Sequence, residues 1–282
     1  MTTRRTFIST MSAATVSMLA LSPSIFAGTG GQKLKNIGFI AGIIGKELEG
    51  DWKAVLKKTV EYGFSEIEPG NYLGDSAAGF LAYCKQIGLR PCAKGISFNA
   101  KDNVLMKEME SINELEIKYA ITYWPWYVGG PFKLEDCKRS ADWLNKTGEI
   151  CRKNGLTLCW HNHNKEFIPM EEGLPFDYLM NHTDKNLVKC EMDIYWVVKG
   201  GGNPVQLLKQ YNGRVKILHV KDMAIGPEQD FACPGDGIIQ FETIFREALN
   251  QGIEHFIVER DDCKDGMACL KSSGKYLKNL SL

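Results

Sequence analysis

The chain has 282 residues, which is enough for one α/β barrel or for two smaller domains, and its composition is that of a globular protein. Lys plus Arg and Asp plus Glu both number 34. This balance gives no overall electric field that would attract nucleic acid or an anionic membrane, so a nuclease or a membrane-surface protein is not favoured.

The first 27 residues have the pattern of a signal peptide. Paired arginines in "TRRTFIST" precede a mildly apolar run, "MSAATVSMLALSPSIFA", which ends in small residues at Ala27 and Gly28. The pattern predicts export by the twin-arginine pathway, cleavage near Ala27 and a periplasmic domain from residue 28 to residue 282. An apolar N-terminal helix is the alternative. The run is too short and too polar for a permanent membrane anchor.

Nine cysteines are scattered through segments that look like strands and helices. Cys159 and Cys190 lie inside apolar strand-like runs, where buried free thiols are common, so most of the nine are predicted to be reduced packing residues. Cys263 and Cys269 are the first pair expected to form a disulfide. No Cys/His finger spacing occurs, and a structural zinc site is not favoured.

After the signal, short apolar β-rich runs alternate with amphipathic helical segments. The predicted strands are "NIGFIAGII", "FSEIEPG", "LRPCAKGISF", "YAITYWPW", "LTLCWHNH", "LVKCEMDIYWV", "RVKILHV" and "HFIVERD". The predicted helices are "DWKAVLKKTVEYG", "AAGFLAYCKQIG", "NVLMKEMESINELE", "LEDCKRSADWLNKTGEICRKNG", "NPVQLLKQYNG" and "FETIFREALNQG". Several helices end at a glycine, as helices often do. These glycines are Gly63, Gly88, Gly155, Gly213 and Gly252.

Eight strands that alternate with helices indicate a parallel sheet, and eight is the number that closes a (β/α)8 TIM barrel. The predicted fold is therefore a single-domain α/β barrel. A doubly wound open sheet is the alternative, but no G-x-G-x-x-G sequence follows the first strand.

Polar side chains stand at the C-terminal ends of five predicted strands, where the loops of a barrel carry its chemistry. Residues two apart on a strand face the same side, so the members of a pair such as His161 and His163 can both face the barrel interior. The strand-end residues are Glu68, His161, His163, Glu191, Asp193, His219, Lys221, Asp222, Glu259 and Asp261.

Carboxylates and imidazoles that converge inside a barrel cannot all stay unpaired, because burying an isolated charge costs several kcal/mol. A divalent cation would satisfy them together. Mixed His, Asp and Glu ligands suit Mn²⁺, Co²⁺, Fe²⁺, Zn²⁺ or Mg²⁺, and Mn²⁺ is the expected ion. A capped or salt-bridged structural role is the alternative for each residue alone, but five strands that end alike favour a metal site.

Aromatic residues stand close to the same strand ends. Trp124 and Trp126 lie in "TYWPWY" after the fourth strand, and Trp160 and Trp196 lie on neighbouring strands. Flat apolar faces suit the C–H surfaces of a pyranose, so these four tryptophans are predicted to bind a sugar. Core packing is the alternative for about half of them. Phosphate is a poorer fit, because "PGDG" at residues 234–237 is typical of an ordinary turn.

The chain from Asn36 to its C-terminus resembles the sugar phosphate isomerase/epimerase group of xylose-isomerase-like barrels. The most specific segments are "WHNHNKEF", "EMDIYWVVKGGGNPVQLLKQYNGRVKILHVKDM", "PGDGIIQFETI" and "IVERDDC". The resemblance implies one divalent metal ion, held by Asp193, His219 and Glu259 and by a fourth ligand after the fifth strand. His161 stands at that fourth position, where family members have a glutamate. Glu191 is the alternative source of the missing carboxylate.

A divalent ion in such a site would stabilise the negative charge that forms when a proton leaves the carbon beside a sugar carbonyl. His163 and Glu68 are the predicted acid and base groups, and Lys221 is predicted to stabilise the oxyanion. A salt bridge to Asp222 or Glu259 is the alternative for Lys221.

A second departure from the family pattern is Trp196, which stands where many epimerases have a histidine, so ordinary two-base epimerisation is not required. The leading hypothesis is a metal-dependent lyase, hydratase or epimerase that acts on a keto-sugar such as a 3-keto-glycoside. A conventional sugar or sugar phosphate isomerase or epimerase and a non-catalytic sugar-binding barrel are the alternatives. The expected partner is a small carbohydrate, with no nucleic acid and no membrane anchor, and a homo-oligomer is allowed.

Overall fold

The computed structural model describes residues 33–124 and 131–282. The predicted signal peptide, residues 1–27, and one predicted sugar-binding residue, Trp126, lie outside the described residues. Among the helices of the described residues, none combines the length and the apolar character that crossing a membrane requires.

Within the described residues, nine parallel strands curve into a nearly closed barrel, which confirms the predicted fold class. The chain's strands are β1 (Asn36–Ile40), β2 (Glu66–Glu68), β3 (Arg90–Pro91), β4 (Ala93–Gly95), β5 (Tyr119–Thr122), β6 (Thr157–His161), β7 (Val188–Asp193), β8 (Val215–Val220), β9 (Asp222–Met223), β10 (Phe231–Ala232) and β11 (His255–Val258). The barrel order is β3, β2, β1, β11, β8, β7, β6, β5, β4, and β9 pairs separately with β10. Because Cys92 alone separates β3 from β4, the two edges of the sheet are halves of one strand, and the barrel has the eight predicted strands.

Helices α1 to α8 lie between successive strands, and α9 follows the last strand. They are α1 (Trp52–Tyr62), α2 (Ala77–Ile87), α3 (Asp102–Glu114), α4 (Leu134–Lys153), α5 (Pro175–His182), α6 (Ile194–Lys199), α7 (Pro204–Gln210), α8 (Phe241–Asn250) and α9 (Gly266–Asn279). Six of them confirm the predicted helices, and α5, α6 and α9 are additional.

Local sequence explains where these helices begin and end. The carboxylate of Asp51 accepts the backbone N–H of Ala54 at 3.1 Å and caps α1. The same helix ends at Gly63, whose φ of 107° is a backbone conformation that side-chain-bearing residues rarely adopt. Helix α8 buries one stripe with helical spacing, Phe241, Ile244, Phe245 and Ala248.

The segment from Ile194 to Val197 is predicted as the end of the sixth strand, and this prediction is wrong. The strand ends at Asp193, whose side chain accepts the backbone N–H of Trp196 at 2.9 Å and starts α6. Ile194, Tyr195 and Val197 are buried in this short helix and do not continue the strand.

The core has two layers. A small cluster fills the inside of the barrel, and a larger cluster lies between the strands and the surrounding helices. The inner cluster consists of Cys92, Ala93, Ile121, Cys159, Ile217 and Ile257. These residues form an apolar layer inside the barrel, directly below the polar groups at the strand ends.

The structure corrects the predicted disulfide. Cys269 pairs with Cys233, and Cys263 is a half-buried free thiol. Cys233 follows β10, and only the folding of this loop brings it to α9. The prediction that most cysteines are buried free thiols is confirmed by Cys84, Cys92, Cys137, Cys151, Cys159 and Cys190.

Candidate metal centre and active site

The polar strand-end residues meet at the carboxyl end of the barrel. Strands β6, β7 and β8 are neighbours, and their pairing places His161 beside Glu191 and Asp193 beside His219. Strand β11 pairs with β8 and brings Glu259 to the same place. Parallel strands therefore carry these side chains to one point, as the barrel requires.

Four of these residues form a group that fits a metal ion. One ligand atom from each of His161, Asp193, His219 and Glu259 lies within 4.8 Å of the other three. Three of the residues are fully buried, and the side chain of Glu259 is 14% exposed. These are the same four residues that are predicted from the sequence to be metal ligands.

Glu191 lies deeper in the barrel than Asp193 and touches two imidazoles. Its Oε2 is 3.1 Å from Nδ1 of His161, and its Oε1 is 3.2 Å from Nε2 of His219. With Glu68 and His219 it forms a second, overlapping group that could hold a metal ion. The geometry thus offers two depths for an ion along the barrel axis.

Glu68 joins the site from the opposite side of the barrel. Its Oε2 is 3.1 Å from Nε2 of His219, and the hydroxyl of Tyr123 donates a hydrogen bond to its Oε1. Glu68 and Tyr123 also line a cavity of about 480 Å³ formed by the loops after β1, β2 and β4. Glu68 can therefore reach a molecule in this cavity as well as the buried imidazole.

Lys221 is a buried ammonium group surrounded by carboxylates. Its Nζ lies 3.1 Å from Asp193, 3.0 Å from Glu259 and 2.8 Å from Asp261. The alternative salt bridge to Glu259 is present, whereas the carboxylate of Asp222 accepts backbone N–H groups and does not pair with Lys221. The positive charge therefore sits directly beside two of the four candidate metal ligands.

Burial and neighbouring charges determine the protonation of these groups. Burial opposes the charge on Lys221, but Asp193 and Glu259 outweigh burial and raise its pKa. Burial also opposes the charge on His219, and the carboxylates of Glu191 and Glu259 raise its pKa well above the ordinary value. Burial and the nearby His219 lower the pKa of His161. Burial raises the pKa of Asp193 to about 6, against the opposing effect of Lys221.

The donor set fits a divalent cation. Four carboxylates, those of Glu68, Glu191, Asp193 and Glu259, are brought together in a region where burial penalises negative charge. Oδ2 of Asp193 is buried and lies 3.1 Å from Nζ of Lys221 in an ion pair, but it accepts no well-aligned hydrogen bond among the described residues. A doubly charged ion would offset this penalty, and imidazole plus carboxylate ligands suit Zn²⁺, Co²⁺, Fe²⁺ and Mn²⁺.

His163 lies beside the candidate metal ligands, not among them. Its ring is 5.0 Å from that of His161 and stacks on Trp124 at 3.5 Å with 13° between the planes. Burial, and then the charge of Lys221, lower the pKa of His163 to about 3, so the ring is neutral near pH 7. Its Nδ1 is buried without a partner among the described residues, and a bound molecule can supply one.

The predicted sugar-binding tryptophans lie in different environments. Trp124 is 53% exposed and covers His163, and Trp196 lies 5.5 Å from the His163 ring and 5.2 Å from Nζ of Lys221. Trp160 lies on β6 and is fully buried on the helix-facing side of the strand, where it packs on Phe176. The structure therefore brings Trp124 and Trp196 to the site and leaves Trp160 in the core.

The "PGDG" turn is explained by an internal anion. The carboxylate of Asp222 accepts the backbone N–H groups of Gly235 and Gly237, both at 3.0 Å, together with those of Met223 and Ile239. A Cβ at Gly237 would collide with this carboxylate. The N–H groups that could have held a phosphate are thus already used, and the turn is structural.

Tyr123 contributes to the site but is not among the predicted site residues, and Asp261 is predicted as a strand-end residue with no assigned role. Tyr123 belongs to the quoted "TYWPWY", two residues after the inward-facing Ile121, so strand alternation was the signal that places it inside. Asp261 is two residues after Glu259, and the same alternation brings it to Lys221.

Comparison with known proteins identifies the family of the barrel. A family model described as a xylose isomerase-like TIM barrel matches residues 56–279. The chain is 32% identical over 143 residues to an inosose dehydratase from Clostridium beijerinckii, covering 45% of this chain and 47% of that protein. It is 25% identical over 241 residues to an inosose dehydratase from Geobacillus kaustophilus, covering 72% and 78%. The chain thus spans about half the length of the first relative.

Solved structures share the barrel. A sugar phosphate isomerase/epimerase from Parabacteroides distasonis superposes with a TM-score of 0.73 at 25% identity, covering 87% of this chain and 98% of that one. An IolI protein with a bound zinc atom superposes with a TM-score of 0.71 at 17% identity, covering 88% of this chain and 99% of that one. The 3-keto-D-glucoside 4-epimerase of E. coli superposes with a TM-score of 0.64 at 16% identity, covering 87% of this chain and 99% of that one. The last two likenesses show the fold alone. From the family match over most of its length, the chain belongs to the xylose isomerase-like TIM-barrel family.

Proposed function

We propose that the chain is a metal-dependent carbohydrate enzyme that removes the proton beside a ketone of a cyclic keto-sugar or keto-polyol. The group on the next carbon then leaves, so the enzyme is a lyase. The observation that carries this proposal is the convergence of His161, Asp193, His219 and Glu259 within 4.8 Å, with the ammonium of Lys221 beside them. The inosose dehydratase relatives add support, because an inosose is a cyclic keto-polyol.

The proposed reaction is a β-elimination. A base takes the proton from the carbon beside the C=O group, the electron pair forms a C=C bond, and the C–O bond at the next carbon breaks. The oxygen of the leaving group keeps the electrons of that bond and takes up a proton, so a keto-polyol releases water and a 3-keto-glycoside releases an alcohol. The product is an unsaturated ketone.

His161, Asp193, His219 and Glu259 would hold the divalent ion. When bound, the ion supplies Lewis-acid stabilisation of the negative charge that develops on the ketone oxygen. Lys221 adds a fixed positive charge at the same place, because its carboxylate neighbours keep it protonated.

The remaining residues orient the substrate and move protons. Trp124 and Trp196 flank His163 and present flat faces to a ring. Neutral His163 offers an unpartnered nitrogen to a substrate hydroxyl, and Glu68 lines the adjoining cavity as the candidate base. Epimerisation shares the first step and differs in the fate of the electron pair.

An NMR assay in D₂O tests the proposal. The metal-loaded protein is incubated with an inosose and, separately, with a 3-keto-glucoside, in the presence of Mn²⁺, Co²⁺ or Zn²⁺. The proposal predicts an unsaturated ketone and a released leaving group. Deuterium exchange with inversion and no elimination would show an epimerase instead, and the absence of exchange and elimination with every metal would contradict proton abstraction. Asp193→Asn is the matched inactive variant.

We also propose that the protein is exported to the periplasm by the twin-arginine pathway. The paired arginines Arg4 and Arg5 and the small residues near Ala27 support export. The Cys233–Cys269 disulfide adds support, because disulfides persist in oxidising compartments. Cell fractionation tests it: the chain should be periplasmic, and the Arg4→Lys/Arg5→Lys variant should stay in the cytoplasm.

A further inference from the structure

We propose that Glu191 is a positioning residue that orients both imidazole ligands, so that His161 binds the metal ion through Nε2 and His219 binds it through Nδ1. The inference rests on the proposed metal site but not on the proposed reaction. It assigns Glu191 a place behind the ligands, although its residue type and burial would also suit a ligand.

The position of Glu191 between two histidines is set by the strands. It lies on β7 with β6 on one side and β8 on the other, and its register partner on β6 is His161. The register between β7 and β8 shifts at Cys190 and Glu191. Glu191 is fully buried, one inward-facing residue below Asp193.

Each carboxylate oxygen of Glu191 faces a different imidazole. Oε2 is 3.1 Å from Nδ1 of His161, and Oε1 is 3.2 Å from Nε2 of His219. Nδ1 of His161 forms a hydrogen bond with Oε2 of Glu191. Nε2 of His219 lies between Oε1 of Glu191 and Oε2 of Glu68, and the latter is its hydrogen-bond partner. Carboxylate oxygens accept hydrogen bonds, so the ring nitrogens that face them are the ones that carry protons. Glu191, joined by Glu68 at His219, thereby selects opposite tautomers for the two rings.

The other nitrogen of each ring faces the candidate metal ligands. Nε2 of His161 is 3.7 Å from Oδ2 of Asp193, and Nδ1 of His219 is 2.8 Å from Oε2 of Glu259. These four atoms belong to the residues of the four-membered candidate group. A metal ion bound there takes its two nitrogen ligands from the side away from Glu191.

A carboxylate behind a metal-bound histidine fixes the ring orientation and makes the nitrogen a stronger ligand. Usually one carboxylate serves one ring, whereas Glu191 serves two. Glu68 also reaches Nε2 of His219, at 3.1 Å, and so supports that ring alone. The loss of Glu191 should therefore weaken metal binding more than the loss of Glu68.

The competing arrangement places the ion deeper, between Glu68, Glu191 and His219. Glu191 would then be a ligand, and His219 would bind through Nε2, because that nitrogen faces Glu68 and Glu191. The two arrangements differ in which nitrogen of His219 carries the proton.

NMR of the unmutated protein distinguishes them. The chain is labelled with ¹⁵N-histidine and loaded with Zn²⁺, and the ring nitrogens are assigned. The proposal predicts a proton on Nδ1 of His161 and on Nε2 of His219. A Zn²⁺-bound Nε2 on His219 would overturn it. This measurement requires no variant to fold.

Variants test the strength of the effect. Glu191→Gln should weaken Zn²⁺ binding roughly 10- to 100-fold in a competition titration. The Co²⁺-loaded variant should keep the coordination number of the unmutated protein, as judged from the intensity of its visible absorption. Unchanged Zn²⁺ affinity would overturn the proposal, and so would a changed coordination number, because Glu191 would then be a ligand.

Glu166→Gln is the matched control. Glu166 is another buried carboxylate, and it accepts the backbone N–H of His163 at 3.2 Å. Its Zn²⁺ affinity should stay within about threefold of the unmutated protein, because it contacts neither metal-binding ring. A loss as large as that of Glu191→Gln would assign the effect to buried charge in general and overturn the proposal. Both readouts are independent of turnover, so they stand if the proposed reaction fails.

Discussion

Buried side chains at the carboxyl end of the barrel do several tasks at once. Asp193 caps α6 with Oδ1 and presents Oδ2 to Lys221 and His161. Such residues are found from the sequence because inward-facing positions repeat every two residues along a strand. The sequence does not predict which carboxylate contacts which imidazole. This depends on the depth of Glu191 in the barrel, where the register between β7 and β8 shifts at Cys190 and Glu191.

Lys221 should be essential to turnover but not to metal binding. Lys221→Met keeps the stem and removes the charge beside Asp193 and Glu259, so we expect kcat to fall roughly 100-fold. Steady-state kinetics with elemental analysis of the same sample measure both properties. Lys189→Met is the control. Lys189 lies near the N-terminal end of β7, away from Asp193, so this variant should keep the kcat of the unmutated protein. An unchanged kcat in Lys221→Met would refute the oxyanion role.

The two tryptophans Trp124 and Trp160 should give opposite results. Trp124 is exposed over His163, so Trp124→Ala should raise KM roughly tenfold, or about 1.4 kcal/mol, with little change in stability. Trp160 is a core residue, so Trp160→Phe should lower the unfolding free energy and leave KM unchanged. Kinetics and urea unfolding measure both. A KM effect confined to Trp160 would mean that the sugar lies elsewhere.

Elements were predicted well where the pattern is long and periodic. The positions of the strands and of helices α1 to α4 follow from alternating and helical spacing of apolar residues. The first predicted strand is too long, because Ala41–Ile44 forms a 3-10 helix after β1. Helix α6 was missed because "IYWV" has β-forming residues that continue the apolar pattern of β7. The cap from Asp193 overrides that preference, and the change of element turns Trp196 toward the site.

The loop after β10 should depend on one carboxylate. Asp222 accepts four backbone N–H groups, two on each oxygen. Asp222→Asn would turn an NH₂ group toward two of them and should cost roughly 2–3 kcal/mol. Urea unfolding and hydrogen exchange of residues 233–239 measure the cost. Asp236→Asn, exposed in the same turn, should be neutral. Equal stability of the two variants would show that the carboxylate does not hold the loop.

Within the described residues, one disulfide links the loop after β10 to helix α9. Cys233 and Cys269 are 36 residues apart, a separation that the sequence pattern did not suggest because the link depends on where the β10 loop folds. Loss of the disulfide in Cys233→Ser/Cys269→Ser should lower the unfolding free energy by about 3 kcal/mol. Cys263→Ser should have little effect. Peptide mapping that joins Cys263 to Cys269 would contradict the pairing.

The central claim concerns the ion held by strands β6, β7, β8 and β11. The most direct test is elemental analysis of the folded chain purified without chelators, combined with anomalous scattering from its crystals. We predict about one divalent ion per chain, about 2.0–2.3 Å from ligand atoms of His161, Asp193, His219 and Glu259. A protein saturated with Mn²⁺, Co²⁺ and Zn²⁺ in turn that shows no ion among these four residues would contradict the claim.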